Sequence, residues 1–384
     1  MSHASNNSQD LKPLPEHFIG KTGLGQGTFS VPKEISPSNS LNEIIAYARS
    51  VGASDIHLTI GEPIIFRQLS RLKKIGTERL TDEAIAKLLN KSLPPAVMQE
   101  LLQSGDKEYV HTVEGFGRCR MAMVRQRLGL EATIRLIAMN IPTFEQSGMP
   151  SSCAALTKWA QGMVIVAGPA GCGKTTSLAI LIEIINQNRH DHIISIEEPI
   201  EIVYKPKNCE FTQREINLHT HNQQNALRAA MREDPDVIIV SELRDLESIQ
   251  LAISAAETGH LVVGTMNTLS AAQTVSRIVD SFPADEQPII RNMISESLRG
   301  VICQQLIPSI DEKSMVAAFE VLIVNAPVSS MIREGKVMQI NNAMTTGKAA
   351  GMQLMDNAIK QLLVEKKISL EQAKDRIKNP QALL

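Results

Sequence analysis

The chain has 384 residues, enough for two domains with real cores, and its 43% apolar and 21% charged residues are ordinary for a globular protein. A net charge of −2 and an aromatic content of 3% argue against a general nucleic-acid binder, which wants a basic face or rings on which bases stack. Five scattered cysteines with no CxxC pair speak against structural zinc and for a reducing, cytoplasmic setting, and no apolar run approaches the ~20 residues of a membrane span or forms a signal core.

Residues 1–40 are rich in Ser, Asn, Pro, Gly and Lys and predict a disordered leader, or an arm that orders on a partner. Order is predicted from Leu41, because Leu41, Ile44, Ile45 and Ala48 fall on one helical face and Ser40 with Glu43 has the spacing of a capping box. "DIHLTI" alternates as a strand, helical patterns follow near 81–91 and 95–103, and "EYVHTV", "RCRMAMVRQR" and "EATIRLI" read as further strands. The result is an α+β domain over residues 41–145, closed by the Pro- and Gly-containing linker "NIPTFEQSGMP". Over residues 151–384 the pattern changes. "MVIVAG", "HIISIEE", "VIIVSE" and "LVVGTM" are short continuous apolar runs separated by helical segments near 175–188, 223–232 and 245–258, which predicts a mostly parallel α/β sheet. Beyond about residue 284 the chain reads as mainly helical, interrupted by "MVAAFEVLIV".

One stretch carries chemistry outright. "GPAGCGKTT", Gly168 to Thr176, follows an apolar strand and opens a helix, and Gly168, Gly173, Lys174 and Thr175 complete GxxxxGK[ST]. Glycines at 168, 171 and 173 let the backbone curl so that the loop Pro169-Ala170-Gly171-Cys172-Gly173 surrounds phosphate oxygens, with N–H groups from Ala170 onward and from the helix start pointing inward. Lys174 then reaches the β- and γ-phosphates, and the hydroxyl of Thr175 ligates Mg²⁺ of a bound ATP. Cys172 lies inside the loop, where a helix N-terminus can lower a thiol pKa, although a merely tolerated small residue is the plainer reading.

Two acidic strand ends follow. "DVIIVSE" ends in Glu242, which would act on Mg²⁺ through its water shell. "IEEPIE" offers Glu197, Glu198 and Glu201, of which Glu201 is the preferred general base for the attacking water. His260, before "LVVGTM", is a candidate γ-phosphate sensor or a bridge to a neighbouring subunit, while the pairs His190/His192 and His219/His221 lack the further ligands a metal site needs. No arginine finger stands beside the loop. The first domain instead clusters Arg118, Arg120, Arg125, Arg127 and Arg135, which suggests a site completed at a subunit interface within a ring.

These stretches, with "GASDIHL", "QREI", "AAETGHLVVGT" and "GMQLMD", resemble the secretion ATPases, in particular the PilT type that retracts type IV pili. The resemblance implies a PAS-like N-terminal domain, a RecA-like P-loop domain with a helical C-terminal part, and a homohexamer. The ring would work at an inner-membrane pilus platform protein, with a paralogous retraction ATPase as a second candidate partner and no specific nucleic acid. It would be cytoplasmic and peripheral at the inner membrane. The resemblance further implies that Lys174 and Thr175 serve the phosphates and Mg²⁺, that Glu201 activates water, and that Glu242 is the Walker B glutamate. His260 would be the first histidine of a two-histidine box, and Arg120 and Arg135 would reach a neighbour's nucleotide. Asn267 stands where the second histidine is usual, Ser241 where glycine, Glu198 where aspartate, and Leu128 where arginine is common. The assembly ATPases' tetracysteine motif is missing, which favours retraction. The alternatives are a motor of another secretion system, a weakly active paralogue dependent on a partner ATPase, and, last, a DNA translocase.

Overall fold

The computed structural model describes residues 31–312 and 314–377, so most of the predicted leader lies outside the described residues. Within them, order begins earlier than Leu41, because Ile35 already packs in the first core. The chain divides into two compact units, one running to Ile141 and the other from Pro142.

The first unit contains α1 (Leu41–Ser50), β1 (Asp55–Leu58), β2 (Ile64–Gln68), β3 (Arg71–Ile75), α2 (Asp82–Ser92), α3 (Pro95–Ser104), β4 (Asp106–Val113), β5 (Gly117–Gln126) and β6 (Gly129–Leu136). The Ser40 hydroxyl accepts from the Glu43 amide, and the Glu43 carboxylate accepts from the Ser40 amide at 2.7 Å, so the predicted capping box starts α1. The six strands form an antiparallel sheet in the order β3-β2-β1-β6-β5-β4. Cys119, Met121 and Met123 of β5 point into the core, and the alternate residues Arg118 and Arg120 lie on the opposite face. The β2–β3 hairpin was not predicted. It turns on Leu69 and Ser70, both at positive φ, which sequence reading expects of Asn or Gly.

The second unit contains α4 (Phe144–Ser147), α5 (Ser151–Leu156), β7 (Gly162–Ala167), α6 (Lys174–Asn188), β8 (His192–Glu197), β9 (Glu210–Glu215), α7 (Gln223–Ala230), β10 (Val237–Val240), α8 (Leu246–Glu257), β11 (Leu261–Met266), α9 (Ala271–Asp280) and α10 (Gln287–Ser297). It continues with β12 (Leu298–Pro308), β13 (Met315–Ile323), α11 (Ala326–Arg333), α12 (Ile340–Thr346), α13 (Met355–Val364) and α14 (Leu370–Lys374). The seven strands are ordered β13-β12-β7-β11-β10-β8-β9, all neighbours parallel except β12 and β13. The predicted interruption "MVAAFEVLIV" is β13, but β12 was not predicted; together they form a long hairpin that widens the sheet beside β7. "LRGVICQQLIP" hid its strand character because Arg299, Gly300, Gln304 and Gln305 interrupt the apolar run.

β7, β10 and β11 are buried along their whole length. Because β7, β8, β10 and β11 run in one direction, the segments that follow them leave the sheet along one shared edge, where parallel α/β sheets hold ligands. Among the described residues, no helix is long and apolar enough to cross a membrane.

Candidate active site

The loop after β7 is shaped by glycine in the places its backbone demands. Gly168 has φ +150, and a Cβ there would lie 2.4 Å from Cys172 Sγ and 2.6 Å from the Gln304 carbonyl oxygen. Gly173 has φ +90, with a Cβ position 2.9 Å from Gln304 Nε2. α6 then starts at Lys174 without any side chain capping its first amides, so its positive end stays available to an anion. β12 backs this loop. The buried amide of Gln304 receives the Ser177 hydroxyl, a contact joining α6 to the strand that sequence reading missed.

Lys174 Nζ donates to the carbonyls of Gly168 at 2.8 Å and Pro169 at 3.0 Å, and to Asn267 Oδ1 at 2.6 Å. Asn267 Nδ2 in turn donates to Glu242 Oε1, and Arg244 pairs with Glu242 Oε2 at 2.7 Å. Asn267, just beyond β11, therefore joins the lysine after β7 to the glutamate after β10. The sequence singled out this residue only as a departure; its place at the end of an apolar strand on the phosphate edge was the available signal. Burial lowers the Lys174 pKa, opposed by the nearby Cys172 thiol and the Glu242 carboxylate. Phosphate oxygens would supply the countercharge that desolvation makes the ammonium want.

The other predicted residues separate clearly. Glu197 is buried, and its Oε1 accepts from Ser195 Oγ at 2.6 Å and from Gln213 Nε2 at 3.0 Å, which makes it part of the scaffold. Glu198 is exposed, and Glu201 is half-buried on the segment between β8 and β9. His260 precedes β11, so it stands at the opposite edge of the sheet from the loop. A six-residue strand spans about 20 Å, too far for this ring to sense the γ-phosphate held by its own loop. That role is corrected; the His260 ring contacts Ala255 O at 2.9 Å instead. Burial is the largest influence on the Cys172 thiol and raises its pKa, against the lowering that a helix N-terminus can give.

In the first unit, Arg120 and Arg135 are direct cross-strand partners on β5 and β6. Arg120 pairs with Glu108 at 2.7 Å and Arg135 Nε with the buried Asp55 at 2.9 Å.

The residues fit a magnesium-bound nucleoside triphosphate. The cradle closes only around bare glycines, the helix end is uncapped, and Thr175 sits on its first turn beside Glu242's edge. Among the described residues, no group of three His, Cys, Asp or Glu could hold a metal ion. A cavity of about 1010 Å³ adjoins the loop and is lined by Gln146, Thr176, Ile180, Leu306, Phe319 and Gln361 among others.

His219 supports the acidic segment from behind, because its Nδ1 accepts the Glu215 amide at 2.8 Å. Burial first, and then the charge of Arg214, lower its pKa from 6.5. With the folded value depressed, the unfolded chain binds the proton first, so this ring's contribution is complete above about pH 6.5 and is lost as the pH falls below it. The stability gap between wild type and His219→Ala, measured by urea unfolding, should therefore shrink between about pH 7.5 and pH 5.5; a constant gap would contradict the assignment.

A strand, glycine loop and lysine-headed helix, with a glutamate two strands away on the same edge, define a P-loop ATPase. The chain belongs to the type II/IV secretion system protein family, whose pattern matches residues 33–383. It is 39% identical over 341 residues to the type IV pilus retractation ATPase PilT of Pseudomonas aeruginosa, covering 89% of this chain and 99% of that one. It is 33% identical over 322 residues to the type IV pilus ATPase PilU of the same organism, covering 84% of each. Among solved structures, the pilus retraction motor PilT with bound ADP superposes with a TM-score of 0.78 at 39% identity, covering 90% of this chain and 99% of that one.

Proposed function

We propose that this chain is the ATP-hydrolysing motor subunit of type IV pilus retraction. The observation that carries the reading is the convergence of Lys174, Asn267 and Glu242 at the glycine loop; the near full-length likeness to a retraction ATPase supports its direction. In this reading residues 41–145 are the PAS-like domain and residues 151–384 the RecA-like domain. Six copies form a ring at the inner-membrane face of the pilus machine, against its platform protein, with a paralogous ATPase as a further partner.

Lys174 and the backbone N–H groups from Ala170 to Thr176 hold the β- and γ-phosphates, and the adjoining cavity takes ribose and base. The Thr175 hydroxyl would help to hold magnesium, which would supply Lewis acidity for the phosphoryl transfer. Glu201 accepts the proton of the attacking water, and Glu242 orients the water shell. Arg120 and Arg135 meet the charge that develops on a neighbouring protomer's nucleotide. His260 serves the boundary between protomers rather than the phosphates.

Lys174→Ala tests the centre of the reading. A charge-assisted hydrogen bond lost from a half-buried site should weaken fluorescent ADP binding by about 10- to 100-fold and remove turnover. Deletion of the gene should leave cells with excess surface pili and no twitching; bald cells would indicate assembly instead and overturn the direction proposed.

A further inference from the structure

β9 is an edge strand, and one face of it does unusual work. The segment 199–206 that carries Glu201 belongs to no helix or strand. Side chains hold it. Glu215 Oε2 accepts the Ile200 amide at 3.0 Å. Gln213 Nε2 donates to the Ile202 carbonyl at 2.9 Å, and Gln213 Oε1 accepts the Tyr204 amide at 3.0 Å. Phe211 stacks on the Tyr204 ring, with centroids 5.2 Å apart and planes 12° from parallel.

Residues 211, 213 and 215 alternate along β9, so these three lie on one face, and they engage residues 204, 202 and 200 in reverse order. The Gln213 amide gives the segment one donor and one acceptor at residues two apart, as a neighbouring peptide group in a ladder would. Its second N–H goes to the buried Glu197 carboxylate at 3.0 Å, which fixes the amide's orientation. The engaged residues Ile200 and Tyr204 are buried, whereas Val203, of the alternate parity shared with Glu201, is 60% exposed. The same-face residues are thus tied down, and those between them are turned away from β9.

We propose that Phe211, Gln213 and Glu215 form a side-chain rail that positions Glu201, with Gln213 as its central positioning residue. The proposal rests on the reading of Glu201 as the group that activates water. A carboxylate on a segment without a ladder of its own would sample many positions; the rail restricts it to one, and a displacement of about 1 Å at such a group costs up to about 100-fold in rate.

The test uses the full-length chain with Gln213→Met, which keeps the length of the side chain and removes all three hydrogen bonds, and Gln213→Glu, which keeps only the acceptor for Tyr204. Thr212→Val, on the other face of β9, is the control. For Gln213→Met the turnover number should fall about tenfold or more, with KM for MgATP and affinity for fluorescent ADP within about twofold of wild type. Amide exchange in residues 200–204 should rise about tenfold while that of β7 and β10 stays put. Gln213→Glu, which sets a second carboxylate against the buried Glu197, should fall at least as far as Gln213→Met, and Thr212→Val should match wild type. In a Glu201→Gln background, Gln213→Met should add no further loss.

Turnover within about twofold of wild type in Gln213→Met, or an equal additional loss in the Glu201→Gln background, overturns the rail. Wild-type turnover in Glu201→Gln alone overturns the water-activation reading itself, and the exchange of residues 200–204 still reports separately whether the rail holds the segment.

Discussion

Glu201→Gln is expected to lower the rate of ATP hydrolysis by about 10² to 10⁴-fold, the range spanned by a positioned general base. Three carboxylates compete for the role in the sequence, and the structure separates them. Glu197 spends an oxygen on Ser195 and Gln213 and is buried, so its loss should damage folding rather than the chemical step alone. Glu198 is exposed to solvent, where a carboxylate has no fixed relation to a phosphate. Glu201 is half-buried on a segment held at three points. The glutamine variant keeps its shape and removes its basicity, so affinity for fluorescent ADP should remain within about twofold of wild type. Single-turnover quench-flow separates the chemical step from binding and release; a wild-type burst in this variant would reject the assignment.

Arg120→Ala and Arg135→Ala are each expected to lower turnover by about 10³-fold or more, the scale of an arginine delivered to a transferring γ-phosphoryl group. Directly opposed arginines on neighbouring strands repel one another. Glu108 and Asp55 each hold one of them, and the Arg135 side chain is still 55% exposed although its Nε is committed to Asp55. The outer nitrogens of such a guanidinium stay free to meet an anion from outside the subunit. Mixing gives the decisive measurement. Lys174→Ala subunits have intact arginines and no working loop; Arg135→Ala subunits have the reverse. Hybrid rings should regain turnover that neither parent shows. Mixtures as inactive as their parents would rule out a site shared between protomers.

The phosphate cradle was legible because its chemistry is local: positive φ calls for glycine, and GxxxxGK[ST] between a strand and a helix leaves few other readings. The buried strands were legible for a similar reason, since a parallel strand covered on both faces is written as an uninterrupted apolar run. β12 was not, because Gln304 looks polar until Ser177 of α6 is seen to satisfy it. β9 was not, because an edge strand whose side chains hold a loop carries a single apolar residue, Phe211, and shows no apolar alternation. The error over His260 was one of direction. A histidine and an asparagine seven positions apart in β11's flanks look equally close to the site on paper, yet the strand puts them at opposite edges, and it is Asn267 that touches Lys174.

All five thiols of the chain are buried. Desolvation pushes Cys119 and Cys153 up to about 12 and raises Cys172 and Cys209 as well. Maleimide dyes attack the thiolate, so the native side chains should stay silent at neutral pH while a cysteine introduced on an exposed loop reacts. The natural sequence is thereby a ready background for attaching fluorophore pairs and watching one machine step, without first stripping out its own sulfur.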